Sequence, residues 1–140
     1  CFQCLIYPML DDRTGTSRAV PPHVGIIIWD PEKNRFGWES FLGGKAGGLS
    51  APKNAVPARV VNLKGLPPAF IGVGTLDLFC DEDIDYAQRL NAVGVLTELN
   101  VVPGAFHGFD AIGASLPVGK TFHAAKMNAL RRGFGMAAVI

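Results

Sequence analysis

Charge is scarce in this sequence and neither sign dominates. Of 140 residues, 18% are Asp, Glu, Lys or Arg, and the formal net charge is +1. Arg131 and Arg132 form the one adjacent basic pair. The concentrated basic surface of a nucleic-acid binder is therefore missing, and no nucleic-acid partner is expected. Long apolar runs are missing as well. Nothing approaches the ~18 consecutive apolar residues that a spanning helix requires, so no membrane span is expected. Cysteine is sparse. Cys1, Cys4 and Cys80 cannot build a disulfide framework, which points to a reducing, cytoplasmic setting. The first residues carry no basic stretch and no small-residue cleavage site, so no signal peptide is read. Because Cys1 runs straight into an apolar segment, the sequence is expected to be cut from a longer protein. His23 and His123 fall on separate elements without ligand spacing, and no metal or cofactor is expected.

What is present is apolar and broken into short pieces. Hydrophobic residues make up 49% of the chain, and mean hydropathy is +0.25. That composition excludes a disordered tail. Apolar runs at 4–10, 26–29 and 69–73 have the length of strands in a parallel sheet covered by helices on both faces. Strands are expected at about 2–7, 69–75 and 96–102. Residues 22–42 hold two short helical candidates, with Asn34 as an N-cap for 35–41. Ile84, Ala87, Leu90 and Asn91 or Val93 form one stripe of an amphipathic helix, closed by Gly94 at the C′ position. A last helix is expected over about 118–132, burying Phe122, Ala125, Met127 and Leu130. The fold class is α/β in one domain, with three parallel strands and helices on both faces.

Strand, helix and strand within about 35 residues make a βαβ unit, whose strands run parallel. Their carboxyl ends then share one edge of the sheet, where ligands of open α/β sheets bind. The loop after the first of these strands carries Asp77, and the loop after the second carries His107 between Phe106 and Gly108. An acid and a histidine delivered side by side there are half of a nucleophilic triad, the acid fixing the tautomer of the base. The same pair also fits a purely structural hydrogen bond.

The segments 66–77 (LPPAFIGVGTLD), Asp81-Glu82, Ala87-x-Arg89-Leu90, Gly94 and 103–109 (PGAFHGF) resemble the hormone-sensitive-lipase-like family of α/β-hydrolases. The likeness extends through 5–8 (LIYP), 10–12 (LDD) and 29–42, and so covers most of the chain. The resemblance implies a carboxylesterase or lipase-like hydrolase, with Asp77 as the triad acid and His107 as the general base. It implies a structural and helix-capping position for Asp81 and Glu82. The substrate class it implies is a carboxylic ester with a small or medium acyl group. Where the family often has Pro after the acid, this chain has Leu78. The family's Gly-Asp-Ser-Ala-Gly elbow and His-Gly-Gly oxyanion loop have no counterpart here. Residues 1–140 are thus expected to be the C-terminal segment of an α/β-hydrolase domain, inactive by itself.

Local substitutes for the missing serine are weak. Gly113-Ala-Ser115-Leu-Pro lacks the final glycine and a preceding strand. Cys80 reads as a small buried hydrophobe, and Cys1-x-x-Cys4 inside a strand would point its two sulfurs to opposite faces. Trp29, Phe36, Trp38, Phe41 and Phe109 are candidates for a pocket wall or for core. A non-catalytic binding or assembly module on the same scaffold is the alternative reading. The open apolar edge of the strand at 2–7 leads to the expectation of a homo-oligomer.

Overall fold

Alternation along one strand sets the architecture, seen in a computed structural model that describes residues 2–136. Three strands, β1 (Gln3–Ile6), β2 (Ala69–Gly74) and β3 (Thr97–Val102), form a parallel sheet in the order β1-β2-β3. Gln3 pairs with Ala69, and Ala69 with Thr97. Every residue of β2 is buried. Because successive side chains point to opposite faces, Ala69 and Ile71 pack with Tyr86, Ala87 and Leu90 of α2 (Cys80–Ala92). Phe70 instead meets Phe122 of the final helix at a centroid distance of 6.5 Å. Helices therefore cover both faces, as the short apolar runs imply. Burial of a side chain such as Phe70 or Ile71 contributes about 1.5–3 kcal/mol.

The helices are α1 (Pro31–Leu42), α2, a single turn α3 (Phe109–Ile112) and α4 (Pro117–Gly133). In place of two short helices within 22–42 there is one. Asp30 is its N-cap, its carboxylate accepting the Lys33 amide at 2.9 Å, and Pro31 opens the first turn. Asn34 lies inside that helix, fully buried, donating to the Thr14 carbonyl at 2.8 Å. Its side chain makes a tertiary contact where capping was expected.

Helix α2 ends as its sequence indicates, with Gly94 at φ +81 just beyond the C-cap. Its buried stripe is shifted, however. Asn91 and Val93 are exposed, Ile84 is half-buried, and Tyr86 is buried together with Glu82 and Asp83. In α4, Phe122 is buried as expected but Met127 is exposed, and Gly119 and Ala129 complete the packed face. The pairing considered for Cys1 and Cys4 lies outside the described residues.

Buried carboxylates tie the long loops to this frame. Glu82 Oε1 accepts the amides of Leu10 (2.6 Å) and Asp11 (3.0 Å), and Oε2 accepts the Thr14 hydroxyl. Asp12 receives two nitrogens of Arg59, at 2.7 and 2.9 Å. Asp81 and Glu82 sit in the first turn of α2, whose N-cap Phe79 makes no side-chain cap. Glu82 thus acts as a tertiary anchor and does not cap the helix. Among the described residues no helix is long and apolar enough to cross a membrane.

Candidate active site

The two loops meet where the parallel strands predict. Asp77 follows β2 by three residues, in a turn closed by its own amide donating to the Gly74 carbonyl at 3.1 Å. His107 follows β3 by five residues. Two bonds hold these loops together: the Leu76 amide donates to the Ala105 carbonyl at 2.9 Å, and the Gly104 amide to the Thr75 hydroxyl at 2.8 Å.

On this support Asp77 Oδ2 accepts Nδ1–H of His107 at 3.0 Å. The Asp77 side chain is fully buried, and His107 is 17% exposed. Asp77 Oδ1 accepts the Phe79 amide at 3.0 Å, so both carboxylate oxygens are engaged. Leu78, where a proline is common in the resembled family, is buried and packs on Gly25 without disturbing this bond.

Three aromatic side chains frame the imidazole. Tyr7 meets it edge-on at 4.5 Å, Phe79 edge-on at 5.5 Å, and Trp29 lies tilted at 5.7 Å. With Ile6, Pro8 and Met9 they line an open cleft of about 360 Å³. Nε2 carries no hydrogen bond to the described residues, which leaves it available to a reacting group in the cleft. Of the aromatic residues considered for a pocket wall, only Trp29 stands at the imidazole. Trp38 and Phe109 are core, and Phe36 and Phe41 are 72% and 66% exposed on α1.

Tyr7 and Phe79 were not singled out by the sequence, although each is a near neighbour of a residue that was. The Tyr7 hydroxyl donates to Asp110 Oδ1 at 2.8 Å, and Lys126 Nζ binds Asp110 Oδ2 at 3.1 Å. Burial pushes the Tyr7 phenol well above its usual range, and the Asp110 bond and charge add to this. Burial would raise the Asp110 carboxyl, but the Tyr7 and Lys126 hydrogen bonds and the Lys126 charge outweigh it and hold it low.

The arrangement orients one imidazole nitrogen on an anion and leaves the other free, the geometry of a general base. No nucleophile accompanies it among the described residues. Ser17, Ser40, Ser50 and Ser115 are all exposed, and none is hydrogen-bonded to His107. Ser115 occupies a turn between α3 and α4, without the strand-to-helix geometry of an elbow. Burial, then the charges of Asp81, Asp83 and Asp77, raise the Cys80 thiol to about 11, the reverse of an activated thiolate. No group of three or more His, Cys, Asp or Glu among the described residues is arranged to hold a metal ion.

Comparison with known proteins gives a consistent result. A family model described as the alpha/beta hydrolase fold matches residues 1–111. Esterase LipI of Mycobacterium tuberculosis is 32% identical over 117 residues, 83% of this chain and 36% of the relative. Carboxylesterase NlhH from the same species is 37% identical over 82 residues, 59% of this chain and 24% of the relative. Among solved structures, esterase LipW from Mycobacterium marinum superimposes with a TM-score of 0.78 at 37% identity, covering 95% of this chain and 40% of that one. A bacterial heroin esterase gives 0.77 at 33% identity, covering 94% and 42%. The chain thus spans less than half the length of each of these relatives.

Proposed function

Since the chain belongs to the α/β-hydrolase fold family, with esterases among its relatives, we propose that its residues 1–140 supply the acid–base half of a carboxylic-ester hydrolase. In this reading they are the C-terminal segment of the hydrolase domain. The observation that carries it is the buried Asp77 carboxylate 3.0 Å from His107 Nδ1, with His107 lining an open cleft.

Asp77 would hold the tautomer and stabilise the imidazolium. His107 Nε2 would take the proton from a serine hydroxyl as that oxygen attacks the ester carbonyl, then return it to the departing alcohol. The serine and the oxyanion donors would come from sequence outside these 140 residues. Without them the chain alone has no esterase turnover above background, because those groups supply most of the rate. Small or medium acyl esters are the proposed substrates, with no cofactor or metal in the reaction. A cytoplasmic location is part of the same reading, in keeping with the free thiols of Cys4 and Cys80.

The test is a chimera in which these 140 residues replace the matching segment of a related esterase. It should hydrolyse nitrophenyl butyrate, and His107→Ala should lower the rate by roughly 10²- to 10⁴-fold. A folded chimera whose turnover is indifferent to both His107→Ala and Asp77→Asn would defeat the proposal and favour a non-catalytic module.

Association between copies belongs to the same reading. On the side of β1 away from β2 no strand is paired among the described residues. Amides of residues 3 and 7 point to the β2 side, donating to Pro68 and Gly72. In a parallel strand the alternate residues, Cys4 and Ile6, then face the free edge, an available template for pairing.

A further inference from the structure

We propose that Tyr7 is a positioning residue for His107, a strut that keeps the imidazole turned onto Asp77. The inference rests on the acid–base reading of that pair and adds to it a residue from a third element. Tyr7 is the first residue beyond β1, and its φ of +37 lies in the region that disfavours side-chain-bearing residues. A strained conformation of this kind persists only where the surroundings over-determine it. Here they do so from both ends. The Tyr7 amide donates to the Gly72 carbonyl of β2 at 2.6 Å, and the hydroxyl donates to Asp110 at 2.8 Å.

Those anchors lie on either side of the catalytic loops. Gly72 is on the strand that delivers Asp77. Asp110 is three residues beyond His107, in the turn of helix that follows it. Lys126 fixes Asp110 in turn from α4. Between its anchors the Tyr7 ring stands edge-on to the imidazole at 4.5 Å, with Phe79 and Trp29 as the other neighbours.

The hydrogen bond to Asp77 supplies one attachment for the imidazole and leaves rotation about the side chain to be limited by contact. Tyr7 supplies that limit, and its hydroxyl links its own position to that of Asp110. Loss of the ring would give the imidazole room to leave Asp77. Loss of the hydroxyl alone would leave a ring that is in place but no longer braced. The two substitutions should therefore differ in degree, as a purely structural contribution to stability would not require.

The experiment is proton NMR of the 140-residue chain labelled with ¹⁵N-histidine, reading the His107 Nδ1 proton and its exchange with water. In the parent chain a low-field Nδ1 proton should be visible, and Asp77→Asn should remove it from that position. Tyr7→Leu should speed its exchange by about tenfold or broaden it beyond detection, while Tyr7→Phe gives a smaller acceleration. Leu63→Ala, a change in the core cluster that holds Ile71, Tyr86 and Leu90 and neither Asp77 nor His107, should leave the exchange unaltered well below its unfolding temperature. Unchanged exchange in a Tyr7→Leu chain that keeps its amide spectrum overturns the role of Tyr7 while the Asp77–His107 pair stands. If Tyr7→Leu does not fold, Tyr7→Phe decides: acceleration supports the strut, and parent-like exchange overturns it. Absence of any protected Nδ1 proton in the parent overturns the pair itself, and the strut with it.

Discussion

The carbonyl of Ala105 lies directly on Gly74. A β-carbon at residue 74 would stand 2.1 Å from that oxygen and 2.5 Å from its carbon, closer than real atoms approach. The same oxygen accepts the Leu76 amide at 2.9 Å. One carbonyl therefore joins the loop of His107 to the loop of Asp77, and it can do so only over a residue without a side chain.

Gly74→Ala should accordingly force the two loops apart. The obstacle is backbone, so no rotamer change relieves it, and a loss of about 1–3 kcal/mol or more is expected. Urea unfolding measures it against Gly44→Ala, at a position where an added β-carbon meets nothing within 4 Å. Equal midpoints for the two variants would show that the loop can give way.

Glu82 should impose a pH dependence on stability. Burial raises its carboxyl to about 7 from an ordinary 4.5, outweighing the hydrogen bonds from Thr14, Leu10 and Asp11. A carboxyl that binds its proton more tightly in the folded state adds stability that is fully present below 4.5 and is lost as pH rises to about 7. The full effect is on the order of 3 kcal/mol at most. Glu82→Gln retains an acceptor for the Leu10 and Asp11 amides and carries no charge. Its stability relative to the parent should therefore climb through that window. A constant difference across it in urea titrations would contradict this assignment.

Asp83 is the opposite kind of residue, contributing nothing visible to offset its burial. Both carboxylate oxygens are buried without a hydrogen-bond partner. Burial first, then the charges of Glu82 and Asp77, push its carboxyl well above the usual range. Replacement by alanine should stabilise the chain by about 1–3 kcal/mol, with the larger gain at the higher pH. Thermal melts on either side of neutrality are the check, and a variant less stable than the parent at alkaline pH would refute it.

The free edge of β1 should make copies associate at high concentration. Cys4→Pro removes an amide that faces outward and leaves the donors at residues 3 and 7 to β2 intact. Light scattering should show a dimer or larger species for the parent and a monomer for the variant. A parent that stays monomeric at millimolar concentration would count against edge pairing.

The βαβ half of the chain was legible because short-range signals decide it. An apolar run with β-branched residues gave β2, Gly94 ended α2, and parallel strands brought Asp77 and His107 to one edge. The sequence is silent where a side chain serves a distant partner. Asn34 has the chemistry of a cap, but a buried carbonyl at Thr14 claims it. The cap was in fact Asp30, whose signal, an acid before Pro31, was local and available. The stripe of α2 holds at Ala87 and Leu90 but shifts toward Glu82 and Asp83, buried acids that hydrophobic periodicity does not place inside. Tyr7 falls within the LIYP segment, but its contact with the site is not legible there, since its partner Asp110 is 103 residues away.

That last separation bears on the order in which the site is assembled. The bond between His107 and Asp77 spans 30 residues, whereas the bond from Tyr7 to Asp110 spans 103. Chain entropy makes the longer closure more costly by about 1 kcal/mol if it forms first. It becomes nearly free once β2, α2 and β3 have already drawn the ends together. Folding should therefore bring acid and base into contact early, as a self-contained event within the βαβ unit. The tyrosine would then arrive with β1 as a late latch on a couple already made.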